Sequence, residues 1–107
     1  MQNVQVRLHQ DARKAFDALD DAQRRKLMAW KERLEADPTV GDQLNKQRIP
    51  KVWRTRYALT NLWRLPLVGG WRLLYTIVSH PADGAATIIL WIGDHKQYDR
   101  LLGYATS

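Results

Sequence analysis

The stretch Trp63-Arg64-Leu65-Pro66-Leu67-Val68-Gly69-Gly70-Trp71-Arg72-Leu73-Leu74-Tyr75 decides the fold. Its residues Trp63, Leu65, Leu67, Trp71, Leu73 and Tyr75, with Ile77 beyond, are apolar and all odd-numbered. Strand side chains alternate between faces with period two, so these residues share one sheet face only if the connection holds an odd number of residues. Val68-Gly69-Gly70 is such a connection, with glycine available for the φ > 0 position that short loops need. The register then sets Leu67 opposite Trp71, Leu65 opposite Leu73 and Trp63 opposite Tyr75. Arg64, Pro66, Arg72, Leu74 and Thr76 project together from the other face.

Around this hairpin the chain avoids carboxylates. Lys46, Arg48, Lys51, Arg54, Arg56, Arg64 and Arg72 lie between Asp42 and Asp83 with no Asp or Glu among them. A sheet face that keeps its arginines clear of acids is suited to a polyanion, and Arg64 with Arg72 could clamp one phosphate. Two arginines are also what the wet side of any half-buried hairpin carries. The tryptophans read more simply as core, because aromatic residues dominate small cores.

Outward from the hairpin, Val4 to Leu8 alternates as a short strand, and Asp11 can cap a helix carrying Ala12, Ala15, Phe16 and Leu19. Asp20-Asp21 marks a break and a new cap, after which Leu27, Trp30 and Leu34 recur at helical spacing as far as Ala36. Asp37-Pro38 ends that helix, since the residue before proline disfavours the α region. Residues 38–50 read as a loop or short helix, and Trp53 to Tyr57 as extended and basic. Ala86 to Ile92 is a nearly continuous apolar run, as a strand buried on both faces requires. His95 to Leu102 is a short polar-apolar segment that reads as a helical turn and reaches Gly103 and Tyr104. The order is β-α-α-β-β-β: an α+β domain with both N-terminal helices on one face of a small, mostly antiparallel sheet. On this reading the molecule has two layers, with Trp63 and Trp71 beneath the helices.

Composition narrows the class. The chain of 107 residues has 45% hydrophobic content, which suits one packed domain spanning 1–107. There is no cysteine, so disulfides and thiolate metal sites are excluded. Met1 to Gln10 lacks the apolar run of a signal peptide, and Ala85 to Ile92 is too short to span a bilayer. The expectation is a cytoplasmic protein without a membrane segment. A net charge of +6 suggests nucleic acid or an acidic protein as partner.

The element order and the hairpin together resemble the RelE/ParE superfamily of toxins from type II toxin–antitoxin pairs. The resemblance covers nearly the whole chain. It is carried by Asn61-Leu62-Trp63-Arg64-Leu65, by Gly69-Gly70-Trp71-Arg72-Leu73-Leu74-Tyr75 and by Ile92-Gly93-Asp94-His95-Lys96-Gln97-Tyr98. It implies a single toxin domain that a cognate antitoxin protein neutralises. For RelE-like members the implied activity is an endoribonuclease that cuts mRNA on the ribosome and so inhibits translation. For ParE-like members it is inhibition of DNA gyrase, and a non-catalytic RNA- or partner-binding domain on the same fold is a third alternative. By position, Arg72 matches the arginine that contacts the scissile phosphate, and His95 or Lys96 the basic residue after the last strand. Tyr98 or Tyr104 matches the C-terminal tyrosine, and Arg64 falls near a basic strand position. Asp94 stands where the family often has a basic residue.

Cutting RNA by attack of its own 2′-OH needs a base, cations on the phosphate and an acid for the leaving oxygen. A positioned acid or base contributes roughly 10²–10⁴-fold. Arg72, helped by Arg64, suits the phosphate because a guanidinium binds it in a bidentate way and keeps its charge. His95, with Lys96 beside it, is the acid–base candidate, as imidazole titrates near neutrality. Tyr98 could stack on a base or orient the 2′-OH. Lys46, Arg48, Lys51, Arg54 and Arg56 are the candidate RNA-binding residues. No metal or small-molecule cofactor is expected, because the acids form no ligand constellation with the histidines.

Overall fold

The computed structural model describes residues 4–80 and 84–103. Its strands are Gln5–Leu8 (β1), Asp42–Gln43 (β2), Trp63–Pro66 (β3), Arg72–His80 (β4) and Gly84–Gly93 (β5). The helices are Gln10–Asp17 (α1), Asp21–Ala36 (α2), Lys51–Arg56 (α3) and His95–Leu102 (α4). The strands form one sheet in the order β1-β5-β4-β3-β2, with β1 parallel to β5 and the other neighbours antiparallel. This is the mostly antiparallel α+β sheet that the sequence predicts.

The hairpin has the predicted register. Trp63 pairs with Tyr75 and Leu65 with Leu73, and the Leu67 N–H donates to the Trp71 carbonyl at 2.7 Å. Gly69 and Gly70 take φ of 67° and 81°, a region that a β-carbon disfavours, so the turn depends on both glycines. In β5 the pairing jumps: Tyr75 faces Ile89 while Leu74 faces Trp91, which leaves Leu90 as an inserted residue. This bulge turns Leu90 and Trp91 to one face, with Ile89 and Ile92 on the other.

The first face is covered by α1 and α2. His9, not Asp11, caps α1: its Nδ1 accepts the Asp11 N–H at 3.0 Å, and Asp11 sits in the first turn. A lone pair used in this way cannot also hold a proton toward the Asp11 carboxylate 3.6 Å away, so the cap describes the contact better than an ion pair. Asp20 caps α2 by accepting the Gln23 N–H at 2.8 Å. Leu19, Leu27 and Leu34 then pack on Leu65, Leu67, Leu73 and Tyr75. Each such leucine stabilises the fold by about 1.5–3 kcal/mol through removal from water. Trp63 and Trp71 lie at the margin of this core and are half-buried, not sealed beneath the helices as expected.

The second face departs most from the two-layer expectation. Residues 51–56 are helical, not extended: Pro50 precedes the first turn with its φ already fixed, and Ile49, Trp53 and Tyr57 recur every four residues. Residues 95–102 are a full helix. Asp94 and Gln97 form a capping box at its start, and Gly103, with φ of 74°, ends it. Trp53, Leu62, Leu74, Leu90, Tyr98 and Leu102 make a second core under α3 and α4. Leu74, expected among the outward residues, is fully buried there. Among the described residues no helix is long and apolar enough to cross a membrane.

Candidate functional site

Strand alternation puts Arg64 on β3 and Arg72 on β4 on the face away from α1 and α2, as predicted, but that face is not bare. Tyr98 rises from the first turns of α4 and is only 2% exposed. Both arginines fold onto it. The Arg72 guanidinium carbon lies 4.8 Å from the ring centroid and that of Arg64 lies 5.7 Å away. Arg64 Nη1 also donates to the Tyr98 hydroxyl at 3.0 Å. A ring carries negative charge on its face, so it can hold a cation that water has partly left. With Trp91 tilted against it at 6.3 Å, Tyr98 is a platform for guanidinium groups more than a surface for a base.

Arg64 is not clear of carboxylates. Asp42 on β2 sits directly across the ladder, and Arg64 Nη2 reaches its Oδ2 at 3.4 Å. Partial burial pulls the Arg64 pKa down, but the Tyr98 hydroxyl and Asp42 outweigh it, and the net direction is up. Its charge is therefore secure at any working pH. The sequence hid Asp42 because it stands 22 residues away and meets Arg64 only when β2 pairs with β3. Arg72 has no carboxylate among its described contacts. Its Nη1 makes a long contact, 3.4 Å, to the Gly70 carbonyl. It is half-buried where the sequence predicts exposure.

His95 occupies the first position of α4 and is exposed. A β-carbon built on Gly70 would lie 3.5 Å from its Nδ1, so the histidine stands beside the hairpin turn whose carbonyl Arg72 contacts. Arg64, Arg72, His95 and Tyr98 thus gather at one end of the sheet. Lys96 is exposed next to His95, and Tyr104 lies outside the described residues. Asp94 is the α4 cap, its Oδ1 accepting the Gln97 N–H at 2.8 Å, which accounts for an acid at that place. Gly93 has no room for a side chain: a β-carbon would come within 2.6 Å of the Trp91 ring.

The candidate RNA-binding residues divide. Lys46 and Arg48 belong to a short 3₁₀ turn, and Lys51, Arg54 and Arg56 to α3; all five are exposed. Arg54 donates to the Lys46 carbonyl, folding the turn and the helix together. Arg56 is drawn the other way, to Asp11 at 2.8 Å. Tyr57 donates to the same carboxylate at 2.5 Å, and this bond first and Arg56 next hold Asp11 below the usual carboxylate range. Arg56 and Tyr57 thus tie α3 to α1. Among the described residues no group of three or more His, Asp or Glu is placed to hold a metal ion.

No protein-family model and no curated protein matches the sequence. Solved structures do match the architecture. The Escherichia coli toxin RelE, as a double arginine-to-alanine mutant in the free state, aligns with a TM-score of 0.61 at 13% identity over 99% of this chain and 100% of its own. The archaeal RelE of the RelE–RelB complex from Pyrococcus horikoshii OT3 aligns with a TM-score of 0.55 at 18% identity, over 86% of this chain and 94% of its own. The chain has the fold of the RelE toxins.

Proposed function

We propose that this protein is the toxin of a toxin–antitoxin pair and acts as a metal-independent endoribonuclease on mRNA in the cytoplasm, with the ribosome presenting the strand. The observation that carries this reading is the convergence of Arg64 and Arg72 on Tyr98, beside His95. Two like charges held on one ring repel each other, and an anion between them would relieve the repulsion. The RelE-like reading supplies the reaction. The 2′-hydroxyl gives its proton to solvent water as its oxygen attacks the adjacent phosphorus, the bond to the 5′-oxygen breaks, and a cyclic phosphate and a 5′-hydroxyl result. Arg72, with Arg64, neutralises the developing charge, a role worth roughly 10²–10³-fold for one donor. His95 hands a proton to the leaving oxygen, with Lys96 supporting the charge. Tyr98 keeps both guanidiniums in place. Lys46, Arg48, Lys51 and Arg54 line the approach for the backbone, while Arg56 serves mainly to tie α3 down.

The P. horikoshii RelE was crystallised with RelB, and a fold of this kind with a basic face suits an acidic antitoxin as its cognate partner. The discriminating experiment adds the purified protein to a translating extract and, separately, to a gyrase supercoiling assay. Cleaved mRNA with gyrase unaffected is the expected result. Inhibited supercoiling with intact mRNA would replace this reading with a ParE-like one.

A further inference from the structure

A cleft of about 430 Å³ lies at the same end of the sheet, between α1 and the start of α4. Three alanines of α1 (Ala12, Ala15 and Ala18) line one side, and Trp71, Trp91 and Gln97 line the other. The topology makes the space. β1 ends at Leu8, opposite Ile89, so the last residues of β5 have no strand beside them on that edge. α1 crosses there with small side chains in place of large ones.

Three observations argue that this is more than an imperfectly filled core. Among the described residues, the indole N–H of Trp71 and of Trp91 finds no hydrogen-bond partner, and neither atom is sealed from water. Trp30 and Trp63, by contrast, spend theirs on the Pro66 carbonyl at 2.7 Å and on Asn61 at 3.1 Å. Gln97 uses its Oε1 to accept the Asp94 N–H at 2.9 Å, which leaves its amide hydrogens to donate. Trp71 and Arg72, and Gln97 and Tyr98, are neighbours in sequence, so the cleft and the candidate site share one end of the sheet although Trp71 and Arg72 turn to opposite sides of it.

Flat π faces, unused N–H donors and an adjacent phosphate site are what an unpaired base needs: a surface to stack on and partners for its ring nitrogens and carbonyls. An aliphatic side chain from a protein partner would leave the indole donors unanswered. We propose that the cleft receives one nucleobase of the RNA strand whose phosphate Arg64 and Arg72 hold. The assignment rests on the endoribonuclease reading and adds to it a base subsite built from Trp71, Trp91 and Gln97. Lys14 at the cleft wall adds a cation for the passing backbone, while the Asp11 carboxylate there is already engaged by Arg56 and Tyr57.

The test is binding of a short 2′-O-methyl oligoribonucleotide, which lacks the attacking hydroxyl and stays whole, followed by fluorescence anisotropy. The same strand with single abasic positions is measured beside it. Trp71→Leu removes the stacking surface. Ala18→Leu fills the cleft from the exposed end of α1 without touching an aromatic ring, and it decides the matter if Trp71→Leu fails to fold. Both variants should weaken the intact strand roughly 5- to 150-fold, the range for losing one base stack. Neither should further weaken the strand abasic at the critical position, whereas Arg72→Ala should weaken both strands alike. If both cleft variants bind as the wild type does while Arg72→Ala binds poorly, the base subsite is overturned and the RNA reading stands. If the wild-type protein binds neither strand, both fall.

Discussion

The two faces of the sheet are both packed, but by different means. On the first face, large apolar side chains at every second position meet two helices with ordinary apolar stripes, and the core is aliphatic. On the second face, a helix of six residues and one of eight supply one or two anchors each, and the core passes directly into guanidinium groups lying on a tyrosine. Stability on the first face comes from leucines. On the second, the same packing that buries Leu74 also fixes Arg64 and Arg72 where they are partly out of water, a setting that would strengthen their hold on the proposed phosphate. The lesson is that the face carrying the candidate site is not the one left over after folding. It is a second core with cations at its rim.

Leu73 and Leu74 test that contrast most simply, as neighbours that are both fully buried on opposite faces. Leu73→Ala and Leu74→Ala should each cost about 2–5 kcal/mol in denaturant unfolding. Were the second face open, as the hairpin pattern alone implies, Leu74→Ala would fall within about 0.5 kcal/mol of wild type.

The same pair shows what the sequence could reveal. Period-two alternation identified the hairpin, its register and the face that α1 and α2 cover, because a one-residue slip would expose every apolar residue at once. It could not identify α3. Over Lys51 to Tyr57 a six-residue helix mimics a strand, with Trp53, Thr55 and Tyr57 alternating against Val52, Arg54 and Arg56. The spacing of four from Ile49 to Trp53 to Tyr57 was the available signal. α4 carries full local signals, with Asp94 and Gln97 at capping-box spacing and Gly103 at its end. For the site, Arg64 and Arg72 could be picked out by strand alternation, and His95 and Tyr98 through the family resemblance, and the structure gathers them. That Asp42 would meet Arg64, and that Trp71 and Trp91 would wall a cleft, depends on strand pairing and on a bulge that no local pattern encodes.

A smaller effect belongs to the first face. The Tyr75 hydroxyl donates to the Pro38 carbonyl at 2.7 Å and accepts from the Gly41 N–H at 3.1 Å, and burial pushes its pKa up to about 12. The folded state therefore holds this proton more tightly than the unfolded chain. The associated stability is whole below pH 10 and is lost as the pH rises from about 10 to 12, by on the order of 2 kcal/mol. Urea titrations across that window should show the loss. Tyr75→Phe should flatten it, and an unchanged slope in that variant would assign the loss to other groups.

The smallest expected change is a gain. The Thr87 hydroxyl is fully buried and finds no partner among the described residues, between Val6 and Ile77 in the sheet. Thr87→Val keeps the shape and removes the orphan, so stability should rise by about 1 kcal/mol. A lower melting temperature would mean that the hydroxyl has a partner, such as a bound water.

The central claim, that a packed face carries a phosphate-gripping arginine pair, is tested most directly by Arg72→Ala with a melting curve and an mRNA-cleavage assay on the same preparation. Losing the contact with Tyr98 should cost only about 0.5–2 kcal/mol, so the protein should stay folded. Cleavage should fall by roughly 10²–10³-fold, and Arg72→Lys should restore part of it, because an ammonium keeps the charge but not the planar fork. Full cleavage by a stably folded Arg72→Ala protein would contradict the account.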